Sequence, residues 1–363
     1  MVVQYIQGSN RASSLFSKKI AKTMGNTGKT QILFIGGTGT ISTAVSELLA
    51  GKGASLFLLN RGNRPEKIPR GVTLIKGDVR DTEDTEKILR DYHFDVVVDW
   101  IAYTPADIKN DLKLFSKKIS QYVFISSASA YEKPPSNYII RETTPLVNPF
   151  WDYSRQKAGC EKLLMNEYRN NGFPCTIVRP SYTYNKTIPF ILNSKTHPWT
   201  VIDRMLKGKK VIVPGDGTSL WTLTHAADFA KGFAGLLGNG KTIGESFHIT
   251  SDEVLTWNTI TEIIADSLGV RSDIIHIPSD FICFHSPEHI GGLLGDKSVS
   301  VVFDNSKIKR FFPEFKTEIL FRDGIKESIG WFRSHPELCG VDEDFNRFCD
   351  HIIEMYERGL VKT

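Results

Sequence analysis

Short, almost wholly apolar runs alternate with amphipathic stretches in the first half of this chain, and that alternation constrains its fold more than any other feature. The runs cover 32–36, 55–59, 72–75, 95–99, 122–125 and 175–178; amphipathic stretches such as 82–92 and 106–115 lie between them. Strands that are apolar at nearly every position must be buried on both faces, and with helices between them they form a parallel sheet. Beyond 178 the texture changes. Residues 179–199 are rich in Pro, Tyr and Asn and read as loop. Helical patterns follow near 200–207, 226–237 and 256–268, with a strand at 246–249. A Gly-rich loop is expected at 285–295 and an amphipathic helix at 341–358. These readings predict an α/β protein with a doubly wound parallel sheet and a smaller, interleaved C-terminal substrate domain. The expected parts are a cofactor domain over 30–180 with roughly 222–250, a substrate domain over 181–221 and 251–340, and a terminal helix over 341–363.

Size and charge narrow the function classes. The 363 residues, 40% of them hydrophobic, suffice for a large core. A net charge of +4 is too mild to suggest nucleic acid as a partner. The five cysteines form no C-x-x-C pair and fit a reduced, cytoplasmic protein. No apolar run is long enough to imply a membrane span. No acidic residue precedes Glu47, while Arg11, Lys18, Lys19, Lys22 and Lys29 do. An organelle targeting peptide has this composition, but a disordered extension over 1–29, or a native start near Met24, explains it as well.

The first apolar run ends in Gly36-Gly37-Thr38-Gly39-Thr40-Ile41-Ser42 and a helical pattern follows. Glycines between a strand and a helix allow a tight turn and a close backbone approach to a pyrophosphate, which the helix N-terminus then attracts. Gly36, Gly37, Thr38, Gly39, Thr40 and Ile41 are therefore the expected phosphate cradle; an ordinary strand–helix turn is the plain alternative. Ser42 occupies the third small position. After the second run stand Asn60 and Arg61 rather than an acid. Arg61 can pair with a 2′-phosphate, which leans slightly toward NADP over NAD, or it is a solvated loop residue. Asp78, followed by Val79, can accept from an adenine amino group or cap a helix. Ile101 and Ala102, after the fourth run, are expected beside the nicotinamide ribose. Trp100 either lines a pocket there or packs in the core.

In Tyr153-Ser154-Arg155-Gln156-Lys157 the tyrosine and lysine share one helix face. A free phenol titrates near 10, and an adjacent ammonium favours its phenolate. Tyr153 is thus a candidate general acid/base and Lys157 its partner, also bonding the nicotinamide ribose. Upstream, Ser126-Ser127 ends the fifth run, where the Ser127 hydroxyl can hold the reacting oxygen. A chance Y-x-x-x-K on an exposed helix is the competing reading.

With these motifs in this order, the chain resembles the extended short-chain dehydrogenase/reductase superfamily, specifically the NAD-dependent epimerase/dehydratase family, over roughly 31–331. Phe124-Ile125-Ser126-Ser127-Ala128-Ser129-Ala130-Tyr131 is similar to the family's serine strand. Val178-Arg179-Pro180-Ser181-Tyr182-Thr183-Tyr184, Gly215-Asp216-Gly217 and Thr224-His225-Ala226-Ala227-Asp228 resemble its later motifs. The resemblance implies a Rossmann-type fold, NAD or NADP, and a sugar or sugar-like small-molecule substrate met by Ser127, Tyr131, Tyr182, Trp221 and His225. His225 is equally a buried structural histidine. A homodimer is compatible with the reading. Three departures bear on substrate. Ala128-Ser129 replaces the Asp-Glu of 4,6-dehydratases, Tyr182 replaces a common asparagine, and Trp221 replaces an arginine that grips a nucleotide diphosphate. Cys283, His285, Glu288 and His289 cluster in sequence, but Pro287 breaks any helix that would align them, so no metal is expected. Chloroplast stem-loop RNA-binding proteins are similar in fold and leave a second function class open; a cofactor-sensing regulator without turnover is a third. Retention of Tyr153 and Lys157, with only mild charge, favours an NAD(P)-dependent epimerase or dehydrogenase/reductase.

Overall fold

Every residue of Val96–Asp99 and Gln121–Ile125 is buried, so these strands are covered on both faces. They sit inside a seven-stranded sheet in the computed structural model, which describes residues 29–360. The expected basic extension lies almost wholly outside the described residues. The strand order is Ser246–Ile249, Cys175–Pro180, Gln121–Ile125, Val96–Asp99, Gln31–Ile35, Ser55–Asn60 and Thr73–Lys76. The five pairings from Thr73–Lys76 across to Cys175–Pro180 are all parallel. The edge strand Thr73–Lys76 buries only Ile75, as an edge allows. Helices Thr40–Gly51, Thr82–Leu89 and Pro105–Phe115 follow the first, third and fourth strands in chain order. The order reverses between Gln31–Ile35 and Val96–Asp99, giving the doubly wound Rossmann-type arrangement that the alternating pattern predicts.

The chain divides into two units. The first comprises the chain to Ile125 with Gly159–Val178 and Ala230–Phe247; the second comprises Ser126–Ala158, Arg179–Phe229 and His248 onward. The first unit's core gathers Leu33, Ile35, Val97, Tyr122, Phe124 and Ile177. Trp100 packs between Phe34 and Phe233, with ring centroids at 5.5 and 5.0 Å, in line with the core reading of that residue. Gln121 ties strands to loop: its amide donates to Thr176 Oγ1 and Leu236 O and accepts from Gly238 N–H.

The second unit has its own core, in which Trp199, Trp257, Phe321, Phe332 and Ile352 take part. It is built from two-stranded pieces that the sequence pattern does not announce. Residues 179–199, expected as loop, contain the strand Tyr182–Tyr184, paired in parallel with Leu223–His225. Residues 285–295 are likewise not a plain loop. A 3-10 turn at Pro287–His289 and a π-helical turn at Leu293–Lys297 take up much of it. The terminal amphipathic pattern forms the helix Glu343–Leu360. That helix is fastened by Arg204, which is 2% exposed. Its guanidinium donates to Asp350 Oδ1 at 2.7 Å, Asn346 Oδ1 at 3.3 Å and Lys210 O at 2.9 Å.

Candidate active site

In the first unit, the glycine loop is held open by its own residues. Gly36 and Gly37 have φ of +96° and +92°, a region that favours glycine. A Cβ on Gly37 would lie 2.6 Å from Leu58 Cδ2. Ser42 is buried and turns back, its Oγ accepting the Gly39 N–H at 2.8 Å. It thus shapes the loop as well as filling the small position. Asn60 clamps the loop to the next turn, donating to Gly36 O at 3.3 Å and accepting from Gly62 N–H at 2.8 Å. Gly39 and Thr40 are exposed, and the first turn of Thr40–Gly51 carries no acidic residue. The positive end of that helix is therefore uncompensated and accessible to an anion. These features fit the pyrophosphate of a dinucleotide.

Around the loop, Arg61 is exposed. Asp78 accepts from Arg80 N–H at 3.1 Å and closes a turn. The helix cap considered for Asp78 is instead Asp81, whose Oδ1 accepts from Asp84 N–H at 3.0 Å. Val79 is buried beside it in sequence. Asp99 Oδ1 accepts the N–H groups of both Ile101 and Ala102, at 2.6 and 2.7 Å, fixing the backbone after that strand.

In the second unit, a cavity of about 370 Å³ is lined by Ser127, Tyr131, Tyr153, Tyr182 and Trp221, five of the residues singled out in the sequence. Ser127 precedes the short turn Ala128–Ala130 and its Oγ accepts Ser129 N–H at 3.2 Å. Tyr153 lies in the first turn of the helix Asp152–Asn171, its ring 5.1 Å from that of Trp151. Lys157, 2% exposed, follows one turn later with Nζ 5.8 Å from the Tyr153 ring centroid. Trp221 is buried and stacks on Trp257 at 5.6 Å.

Two of the expected substrate contacts have structural duties. The Tyr131 hydroxyl lies 3.1 Å from His248 Nδ1 and accepts from Arg179 at 3.0 Å. Burial pushes the pKa of His248 down, so the imidazole is neutral. Its Nε2 lies 2.9 Å from Asp304 O, which can only accept; Nε2 therefore carries the proton and the Tyr131 hydroxyl donates to Nδ1. His225 is not among the cavity's lining residues. It is buried against Tyr184, ring centroids 5.3 Å apart, with Nε2 3.6 Å from Glu327 Oε2, which fits its structural alternative.

The cavity also holds residues that sequence reasoning missed: Lys133, Trp151, Asp296 and Lys297. Lys133 and Asp296 are far apart in sequence and belong to no motif, so no local signal marks them. Trp151 stands beside the Tyr153–Lys157 motif, and that adjacency is the one available clue. Among the described residues, no group of three or more His, Cys, Asp or Glu is placed to hold a metal. No helix among them is long and apolar enough to cross a membrane.

A pattern describing the NAD dependent epimerase/dehydratase family matches residues 32–250. The chain belongs to this family, within the extended short-chain dehydrogenase/reductase superfamily. It is 27% identical over 331 residues to the chloroplast stem-loop binding protein of 41 kDa b of Arabidopsis thaliana, covering 87% of this chain and 78% of that protein. It is 21% identical over 286 residues to the 2'-dehydrokanamycin reductase of Streptomyces kanamyceticus, covering 79% of this chain and 80% of the other. Among solved structures, an epimerase of Methanothermobacter thermautotrophicus superposes with a TM-score of 0.71 at 17% identity, covering 86% of this chain and 94% of that one. The dTDP-glucose 4,6-dehydratase of Bacillus anthracis, solved with NAD, gives 0.69 at 21% identity, covering 85% and 98%. These two likenesses bear on the fold.

Proposed function

We propose that this protein is an NAD(P)-dependent enzyme that oxidises or reduces a secondary alcohol or ketone on a sugar or sugar-like ring, by epimerisation or net oxidoreduction. The observation that carries the reading is Tyr153 and Ser127 lining one cavity, with the buried Lys157 one helical turn beyond the tyrosine. The glycine loop would hold the dinucleotide through backbone N–H groups, helped by Asn60, Asp78, Val79, Ile101 and Ala102 around it. When bound, the nicotinamide supplies the hydride acceptor or donor. Tyr153 takes the proton from the substrate hydroxyl or returns it to the carbonyl oxygen. Ser127 donates to that oxygen and fixes its position. The Lys157 ammonium favours the phenolate of Tyr153. Arg61, exposed and with no hydrogen bond or ion pair to a described residue, supports NADP. Trp221 and Tyr182 offer aromatic walls to a sugar face, and the indole at Trp221 argues against a nucleotide diphosphate.

Titration with NAD and NADP separately, followed by turnover assays of Tyr153→Phe, tests the reading. The expected result is dinucleotide binding by both proteins, with turnover lost in the variant. Binding of neither cofactor, or full activity of Tyr153→Phe, would refute it. A second reading is favoured by the likeness to the stem-loop binding protein: RNA binding without turnover. Strongly salt-dependent RNA retention that Tyr153→Phe does not alter would support it.

A further inference from the structure

The lining of the cavity is more cationic than a neutral sugar requires. Lys133 is 5% exposed, and its Nζ donates to the backbone carbonyl of Asp296 at 3.0 Å. It forms no ion pair with a carboxylate among the described residues. The Asp296 carboxylate is engaged instead with Lys297, Oδ2 to Nζ at 3.2 Å. One residue thus serves two ammonium groups, its carbonyl holding one and its side chain the other. Two positive charges share one negative charge in the lining of one cavity. Lys133 Nζ lies 5.5 Å from the Trp221 ring and Lys297 Nζ 5.4 Å from the Tyr182 ring. Both cations therefore border the aromatic walls. The Trp221 indole N–H is itself buried without an acceptor among the described residues. A buried ammonium with a neutral carbonyl as its one acceptor, beside a donor that has none, is costly unless an anion completes the set.

We propose that Lys133 and Lys297 form an anion subsite, so that the substrate carries a carboxylate or phosphate on the same small skeleton as its reacting alcohol. This rests on the reading above that the cavity takes the substrate. It deepens that reading by naming what replaces the nucleotide diphosphate. Burial lowers the Lys133 pKa, the Asp296 charge opposes the shift and Lys297 adds to it. A bound anion would oppose that lowering and favour the ammonium, so binding and protonation of Lys133 reinforce each other.

The test is calorimetry on the full chain with three probes: D-glucuronate, D-glucose 6-phosphate and the neutral methyl glucoside. At least one anionic sugar should bind about tenfold tighter than the neutral one, the scale of one charge-assisted hydrogen bond. The stronger of the two identifies carboxylate or phosphate as the group. Lys133→Met and Lys297→Met should each remove most of that preference. Thermal melting and NAD(P) titration serve as controls for the fold. If Lys133→Met does not fold, Lys297→Met, at the more exposed position, carries the test. Equal binding of neutral and anionic sugars would overturn the proposal. So would no binding of either anion at millimolar concentration, or folded variants that keep the preference. Loss of turnover in Tyr153→Phe is independent of these outcomes, so failure of the subsite and failure of the functional reading are distinguishable.

Discussion

Ser154 Oγ donates to Ser129 Oγ at 2.9 Å, and Ser129 Oγ in turn lies 2.9 Å from Ser127 Oγ. Three hydroxyls therefore run from the residue beside Tyr153 to the serine expected to hold the reacting oxygen. Each hydroxyl can donate once and accept twice, and either Ser127 or Ser129 can donate to the other, so the chain restrains where the Ser127 oxygen sits. Ser154→Ala removes the first link without touching a residue assigned to proton transfer. Turnover should fall about tenfold through loss of positioning. Cofactor affinity should stay unchanged, and Ser154→Thr should restore part of the rate. Steady-state kinetics on the three proteins check this; an unaltered rate in Ser154→Ala would mean the chain is only structural.

Gly291 and Gly295 lie against the Trp151 side chain. A Cβ on Gly291 would approach Trp151 Cδ1 to 2.5 Å, and one on Gly295 would meet Trp151 Cβ at 3.1 Å. Because the Trp151 ring abuts that of Tyr153, Gly291→Ala should displace the indole and disturb the tyrosine. The cost should be about 1–3 kcal/mol in stability, as for other overpacked sites, with a larger relative loss of turnover. Paired measurement of thermal midpoint and rate checks it.

Gly37→Ala should abolish dinucleotide binding. Its φ of +92° is strained for any residue with a Cβ, and that Cβ would meet Leu58. About 1–3 kcal/mol of strain is expected. Calorimetric titration with NAD and NADP, beside circular dichroism to confirm folding, separates loss of the site from loss of the fold.

His248 makes stability depend on pH. Burial lowers its pKa in the folded protein; the nearby Glu142 and Asp304 oppose this and Arg179 adds to it. The unfolded chain keeps the usual value, about 6.5. Below that pH the unfolded state binds the extra proton first. The contribution of neutral His248 is therefore complete above about 6.5 and is lost as pH falls through the depressed folded value. Thermal midpoints should decline over this range. His248→Gln should be less stable at neutral pH but show a flatter profile. A profile unchanged by the substitution would contradict the assignment.

The parts legible in the sequence are those whose physics is local. A glycine loop between an apolar strand and a helix announces itself because strand, turn and helix are contiguous, and Tyr153 and Lys157 share a face by helical period alone. The chain's family membership and doubly wound sheet follow from such signals. What was not legible depends on distant partners. Tyr182–Tyr184 is a strand only because Leu223–His225 pairs with it, and three residues carry too little pattern to announce that. Lys133 gains its meaning from the carbonyl of Asp296, far along the chain. The cap at Asp81 rather than Asp78 turns on which of two nearby acids reaches Asp84, a matter of backbone geometry.

Arg204 ties the middle of the second unit to residues synthesised much later. Its guanidinium is buried, and its carboxylate partner is Asp350. Until that acid has left the ribosome, the charge has no carboxylate to meet, and burying it alone would be costly. As the chain emerges, this guanidinium therefore has the Lys210 carbonyl but not yet Asn346 or Asp350. Those two partners arrive only with the helix Glu343–Leu360. A chain cut before Asp350 should be less stable than the full chain, even though it contains every residue lining the cavity.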